Sequence, residues 1–132
     1  MKILIVDDSL LDRRLLMKCI SIVGIDCEIL EASDGEQGIE VLGNNYKDIG
    51  IILLDRQMPK MGGIEFMQAV VKVPIIKDIP IIMITASVSE EDKKIARDAN
   101  PGLAGYVTKP YKSDKLAELI KALIKKEDTE NE

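Results

Sequence analysis

The chain has 132 residues, 46% of them hydrophobic, a length that suits one compact domain burying roughly two-thirds of the surface its unfolded chain exposes. Its formal net charge of −5, without a concentrated Lys/Arg cluster, excludes a phosphate-neutralising nucleic-acid surface and leaves proteins as partners. The absence of histidine removes the usual general base, the usual zinc ligand and any phosphohistidine carrier role, so a bound metal would take oxygen ligands.

In chain order, the apolar run Lys2–Val6 reads as a strand that reaches Asp7 too soon for a signal peptide or a membrane span. A cytoplasmic protein without membrane attachment is expected. Residues 10–23 follow with Leu11, Leu15, Leu16, Cys19, Ile20 and Val23 at helical spacing, and Ser9 as N-cap. The two cysteines, Cys19 and Cys27, form no framework and read as reduced, buried thiols.

A second strand at 27–32 leads to a helix that opens at Asp34-Gly35, carries Ile39, Val41 and Leu42, and ends in Gly43-Asn44-Asn45. Ile49–Leu54 is nearly all apolar, as a strand buried on both faces should be. Beyond Met58-Pro59-Lys60-Met61-Gly62-Gly63 a third helix is expected to about residue 73, then a fourth strand at 79–84 with Pro80 near its start. Ser89-Glu90-Glu91-Asp92 opens a helix to about Ala99, and Gly105–Thr108 is a short fifth strand. The last helix, about 112–126, shows Leu116, Leu119, Ile120, Leu123 and Ile124 on one stripe. The acidic segment 127–132 is expected to fray.

This alternation predicts an α/β fold, a doubly wound five-stranded parallel sheet with five helices, in one domain spanning residues 1–126. Ligands of such sheets bind at the carboxyl ends of the strands. Those positions hold Asp7 and Asp8 after the first strand, Asp55 after the third, Thr85 after the fourth and Lys109 after the fifth. Three carboxylates at one sheet edge call for a cation, and an all-oxygen set suits Mg²⁺. An acid, a metal, a lysine and a hydroxyl are the parts that phosphoryl transfer needs, with Asp55 attacking in line. Taken singly, each residue also has an ordinary reading: a helix start, a loop acid, a strand-end hydroxyl, a solvated lysine.

Taken together, Val6-Asp7-Asp8-Ser9, Leu53-Leu54-Asp55 followed by Met58-Pro59, Ile82-Met83-Ile84-Thr85-Ala86 and Tyr106-Val107-Thr108-Lys109-Pro110 resemble the receiver domain of two-component response regulators, of the stand-alone, chemotaxis-regulator type. The resemblance covers nearly the whole chain and implies a (βα)₅, flavodoxin-like fold. It also implies that Asp55 takes a phosphoryl group from a histidine kinase or histidine phosphotransfer protein, with Mg²⁺ as cofactor. Asp8 would be the direct metal ligand, Asp7 mostly a water-mediated one, and Gln57 a ligand through its backbone carbonyl. Thr85 and Tyr106 would be switch residues, Lys109 would pair with the phosphoryl group, and the Lys109–Pro110 bond would be cis. Gln57 and Ser87 would tune dephosphorylation.

Gly62, where many relatives carry an acid, and the longer segment at Asn100-Pro101-Gly102 depart from the common pattern. With no chain beyond the fifth helix, output is expected through a downstream protein contact or a relay handover, on the surface of the fourth helix, fifth strand and fifth helix. Exposed Arg13, Arg14 and Lys18 on the first helix would dock the phosphodonor. The chain is thus expected to be a switch rather than a conventional enzyme. Two other readings compete: a pseudo-receiver that binds partners without phosphorylation, and an Mg²⁺-dependent phosphohydrolase, whose D-x-D motif is missing where Asp7-Asp8-Ser9 stands. No GxxxxGK[ST] or G-x-G-x-x-G signature suggests a nucleotide.

Overall fold

In the computed structural model, which describes residues 1–130 and side chains as far as residue 125, five strands alternate with five helices. The order is β1 (Lys2–Val6), α1 (Leu10–Ile22), β2 (Glu28–Ala32), α2 (Gly35–Asn45), β3 (Ile49–Leu54), α3 (Gly63–Val70), β4 (Ile81–Thr85), α4 (Glu90–Ala99), β5 (Gly105–Thr108) and α5 (Ser113–Glu130). All pairings are parallel, in one sheet of order β2-β1-β3-β4-β5. Parallel neighbours require crossovers; α1 to α4 supply the four that join successive strands, and α5 follows the last strand. The expected doubly wound α/β fold is present.

Successive strand residues face opposite sides of the sheet, so the apolar runs feed two cores. Leu4, Val6, Ile52, Leu54, Ile81 and Met83 pack with Leu42 of α2, Phe66, Met67 and Val70 of α3 and Ala96 of α4. Ile3, Ile5, Ile51, Leu53, Ile82 and Ile84 pack with Leu16, Cys19 and Ile20 of α1 and Leu116 and Ile120 of α5. β3 is buried at every position, which explains its unbroken apolar sequence. Ser9, Asp34 and Ser89 cap α1, α2 and α4, their side chains accepting from the backbone N–H of Asp12, Gln37 and Asp92.

Several boundaries and faces differ from the sequence reading. α3 stops at Val70 rather than near residue 73, because Pro74 disfavours helical geometry at Val73. The chain instead turns through Val73 N–H to Val70 carbonyl and Ile76 N–H to Val73 carbonyl bonds. β4 starts at Ile81, not residue 79: Ile79 donates back to Ile76, and Pro80 has no N–H to give the ladder. α5 continues to Glu130 instead of ending near residue 126, and residues 131 and 132 of the expected tail lie outside the described residues. On α1 the apolar spacing overstates the buried face, since Leu11 and Leu15 are exposed. Both cysteines are free thiols, but Cys27 is only half-buried.

Candidate functional site

The carboxyl ends of β1 and β3 form the topological switch point, because the chain leaves β1 for β2 on one side and β3 on the other. The ladders reach one residue past the strands and fix the functional backbone there. Asp7 N–H donates to the Ala32 carbonyl at 3.0 Å, Asp55 N–H to Val6 at 2.9 Å and Lys109 N–H to Thr85 at 2.8 Å. Asp7 is buried, Asp55 half-buried and Asp8 exposed, and each can bring a carboxylate oxygen within 4.8 Å of the other two. Hard oxygens this close suit a small divalent cation, so the residues fit Mg²⁺.

Lys109 Nζ enters the same crevice. It lies 2.9 Å from Asp12 Oδ2, 3.1 Å from Asp7 Oδ2 and 3.9 Å from Asp55 Oδ2. Burial alone would lower the Lys109 pKa, but the hydrogen bond to Asp12 and the charges of Asp55 and Asp7 turn the net shift upward, so it stays an ammonium. For Asp55, burial first and the Asp7 charge second push the carboxyl up to about 6, against the attraction of Lys109 and a hydrogen bond from Arg56 N–H. That bond is 2.8 Å long.

Around this centre the loops hold one another. Asp7 Oδ1 accepts from Ser9 N–H at 2.9 Å, while the Asp7 carbonyl accepts from Arg13 at 2.6 Å. Arg13 also pairs with Glu31 at 3.0 Å, so it is a half-buried structural residue and not the exposed docking cation the sequence suggests; Arg14 and Lys18 are exposed. After Asp55 the chain turns through Lys60, at a left-handed φ of 66°, and Gly35 N–H donates to the Met61 carbonyl at 3.0 Å. Arg56 reaches α4, donating to the Asp92 carbonyl at 2.8 Å and pairing with its carboxylate at 3.4 Å. Asp92 accepts from the Ser87 hydroxyl, and that bond is the main cause of its lowered pKa.

Thr85 is buried at the end of β4, with its hydroxyl oxygen 3.4 Å from Ser87 N–H. The Tyr106 hydroxyl donates to the Ser87 carbonyl at 3.0 Å, and Lys93 Nζ lies 5.9 Å from the Tyr106 ring centroid. The Lys109–Pro110 peptide is cis.

Over residues 3–121 the chain matches the response regulator receiver domain family. It belongs to that family. The Campylobacter jejuni chemotaxis protein CheY homologue is 32% identical, with 94% of this chain and 92% of that protein aligned. The Helicobacter pylori sensor histidine kinase CheAY is 38% identical over 95% of this chain, but the chain spans only 15% of that protein's length. The Pseudomonas aeruginosa phosphate regulon regulator PhoB is 36% identical, over 94% of this chain and 52% of its own length.

Among solved structures, Vibrio cholerae CheY4 superposes with a TM-score of 0.80 at 29% identity, covering 92% of this chain and 97% of that one. The Borrelia burgdorferi CheX–CheY–BeF₃–Mg²⁺ complex gives a TM-score of 0.82 at 28% identity, over 93% and 88% of the two chains. The receiver is therefore of the CheY type and belongs to two-component signalling.

Of the residues singled out from sequence, Asp7, Asp8, Asp55 and Lys109 meet in one crevice. Thr85, Ser87 and Tyr106 form a chain of contacts along its β4–α4 side. Gln57 sits exposed on the loop after Asp55. Sequence reasoning missed Asp12, the nearest acid to Lys109, and the Arg56–Asp92 bridge. Asp12 carries a signal in retrospect: it lies three residues after the N-cap Ser9, in the helix turn nearest the crevice. Arg56–Asp92 joins positions 36 apart, which no local spacing announces.

Among the described residues, no helix is long and apolar enough to cross a membrane.

Proposed function

We propose that this receiver is a phosphorylation-dependent switch in which Asp55 accepts a phosphoryl group from a phosphohistidine of a histidine kinase or histidine phosphotransfer protein. The observation that carries the reading is the meeting of the Asp7, Asp8 and Asp55 carboxylates with the Lys109 ammonium at the switch point of the sheet. Mg²⁺ would be held by Asp8 directly, by Asp7 largely through water, by Asp55 and by the Gln57 backbone carbonyl. When bound, it neutralises charge on the transferring phosphoryl oxygens.

An Asp55 carboxylate oxygen attacks phosphorus. The new O–P bond forms as the donor's P–N bond breaks, and the electron pair returns to the imidazole nitrogen. Lys109 pairs with one phosphoryl oxygen and the Thr85 hydroxyl donates to another. Thr85 moving toward the phosphoryl group carries the change to Ser87 and Tyr106, which are already in contact. Gln57 and Ser87 flank the path of the hydrolytic water and tune dephosphorylation.

Output is a contact with a downstream protein on the face of α4, β5 and α5. A cavity of about 770 Å³ there is lined by Tyr106, Tyr111, Lys115 and Leu119 among others. The chain acts in the cytoplasm, and its self-directed chemistry does not make it a conventional enzyme. The test is incubation with acetyl phosphate and Mg²⁺ followed by intact-mass measurement. The wild-type chain should gain one phosphoryl group and Asp55→Asn none, with its circular dichroism unchanged. Uptake by Asp55→Asn would sink the assignment; no uptake by wild type, from acetyl phosphate or any kinase, would favour a pseudo-receiver.

A further inference from the structure

The shortest ion pair of Lys109 is not with the phosphoacceptor but with Asp12, at 2.9 Å against 3.9 Å to Asp55. Asp12 lies in the first turn of α1, where Ser9 fixes its backbone by accepting from the Asp12 N–H. The Lys109 ammonium has three N–H donors, and two are engaged: one by Asp12, the other by buried Asp7 at 3.1 Å. Asp55 is within ion-pair range but receives no hydrogen bond from it.

We propose that Asp12 is a positioning residue that holds the Lys109 ammonium on the α1 side of the crevice and competes for it with a phosphoryl group on Asp55. The inference rests on the phosphoacceptor reading of Asp55 and adds a residue which that reading does not use. The third N–H remains for a phosphoryl oxygen, but Nζ rests 2.9 Å from Asp12 and 3.9 Å from Asp55, so turning it toward the phosphoryl group stretches the Asp12 pair, and the carboxylate of α1 lowers the affinity of the site for that group. Asp7 still anchors Lys109 when Asp12 is removed, so the ammonium stays in the crevice and becomes freer to turn toward Asp55. The pair is also exchangeable. Asp12 and Lys109 both line an open cavity of about 480 Å³ between α1 and the start of α5, and water there lets the bond break and re-form.

The experiment is a calorimetric titration of the full chain with beryllofluoride, a phosphoryl mimic, at saturating Mg²⁺. Asp12→Asn should bind it about two- to five-fold more tightly than wild type, the scale of one partly exposed ion pair. Asp12→Glu, which restores a carboxylate, should return toward the wild-type affinity. Glu31→Gln removes an acid of the same rim that is held by Arg13 and not by Lys109, and it should leave the affinity unchanged.

Unchanged or weaker binding by Asp12→Asn overturns the inference. Equal tightening by Glu31→Gln also overturns it, because a general charge effect would then suffice. A wild-type chain that binds no beryllofluoride at all rejects the phosphoacceptor reading itself, which separates the two failures.

Discussion

Asp55 is poised between two states by its surroundings. Burial and the neighbouring Asp7 raise its pKa to about 6 from the ordinary 3.8, so the folded chain binds this proton more tightly than the unfolded chain does. Stability owed to this group is then fully present below pH 4 and is lost as pH rises from about 4 through about 6. Asp55→Asn, which keeps the shape without the charge, should therefore be more stable than wild type by roughly 2 kcal/mol at pH 7.5 in chelator. The advantage should shrink toward zero near pH 4. Urea unfolding of both chains at the two pH values reads this directly, and equal stability at pH 7.5 would contradict the cause assigned to the shift. The same residue was legible in the sequence because an apolar run must end at the sheet edge, and the first polar residue after it faces the crevice. Asp7 and Thr85 were legible for the same reason, and Lys109 as the residue that follows the short fifth strand. Asp12 was not, since its place depends on how α1 leaves β1, and Arg13 was misjudged because sequence does not reveal that Glu31 of the neighbouring strand receives it.

At the scale of elements, the loop from β3 to α3 is held by close backbone approach. Gly63 N–H donates to the Arg56 carbonyl at 2.8 Å, and a Cβ added at Gly63 would stand 2.3 Å from the Asp55 carbonyl oxygen and 3.0 Å from Arg56 Cα. Backbone atoms cannot swing aside as a side-chain end can. Gly63→Ala should cost about 1–3 kcal/mol of stability and, by displacing the backbone of Asp55, slow phosphoryl uptake from acetyl phosphate about tenfold. Urea unfolding and timed intact-mass measurement check the two effects, and a variant that matches wild type in both would show that the loop yields cheaply. Element positions were most legible where one local signal dominates: the buried run of β3, the short β5 before Lys109, and the caps Ser9, Asp34 and Ser89. They were least legible around Pro74 and Pro80, where an apolar run continues through turns and gives no hint of where the helix stops or the ladder begins. On α1 the apolar spacing marked a helix but not the width of its buried face, which α5 and the sheet decide.

For the whole molecule, the parallel order β2-β1-β3-β4-β5 gathers acids far apart in sequence at one edge, and the proposed Mg²⁺ site would make folding and cation binding interdependent. An unfolded chain does not hold Asp7, Asp8 and Asp55 together, so under the proposed reading Mg²⁺ would bind the folded state and stabilise it by mass action. At a concentration one hundred times its dissociation constant, the gain is about 2.7 kcal/mol, or roughly 10 °C in melting temperature for a domain of this size. Asp8 separates this effect from general salt screening, because it is exposed and, among the described residues, its side chain has no hydrogen bond that the fold would miss. Asp8→Asn should therefore melt within a few degrees of wild type in chelator, yet lose most of the Mg²⁺-dependent rise. Differential scanning calorimetry with chelator, with MgCl₂ and with NaCl at matched ionic strength distinguishes the cases. An equal Mg²⁺ response in wild type and Asp8→Asn would assign the rise to screening of a chain with net charge −5 and count against the metal at the site, since Asp8 is the most exposed of the three carboxylates.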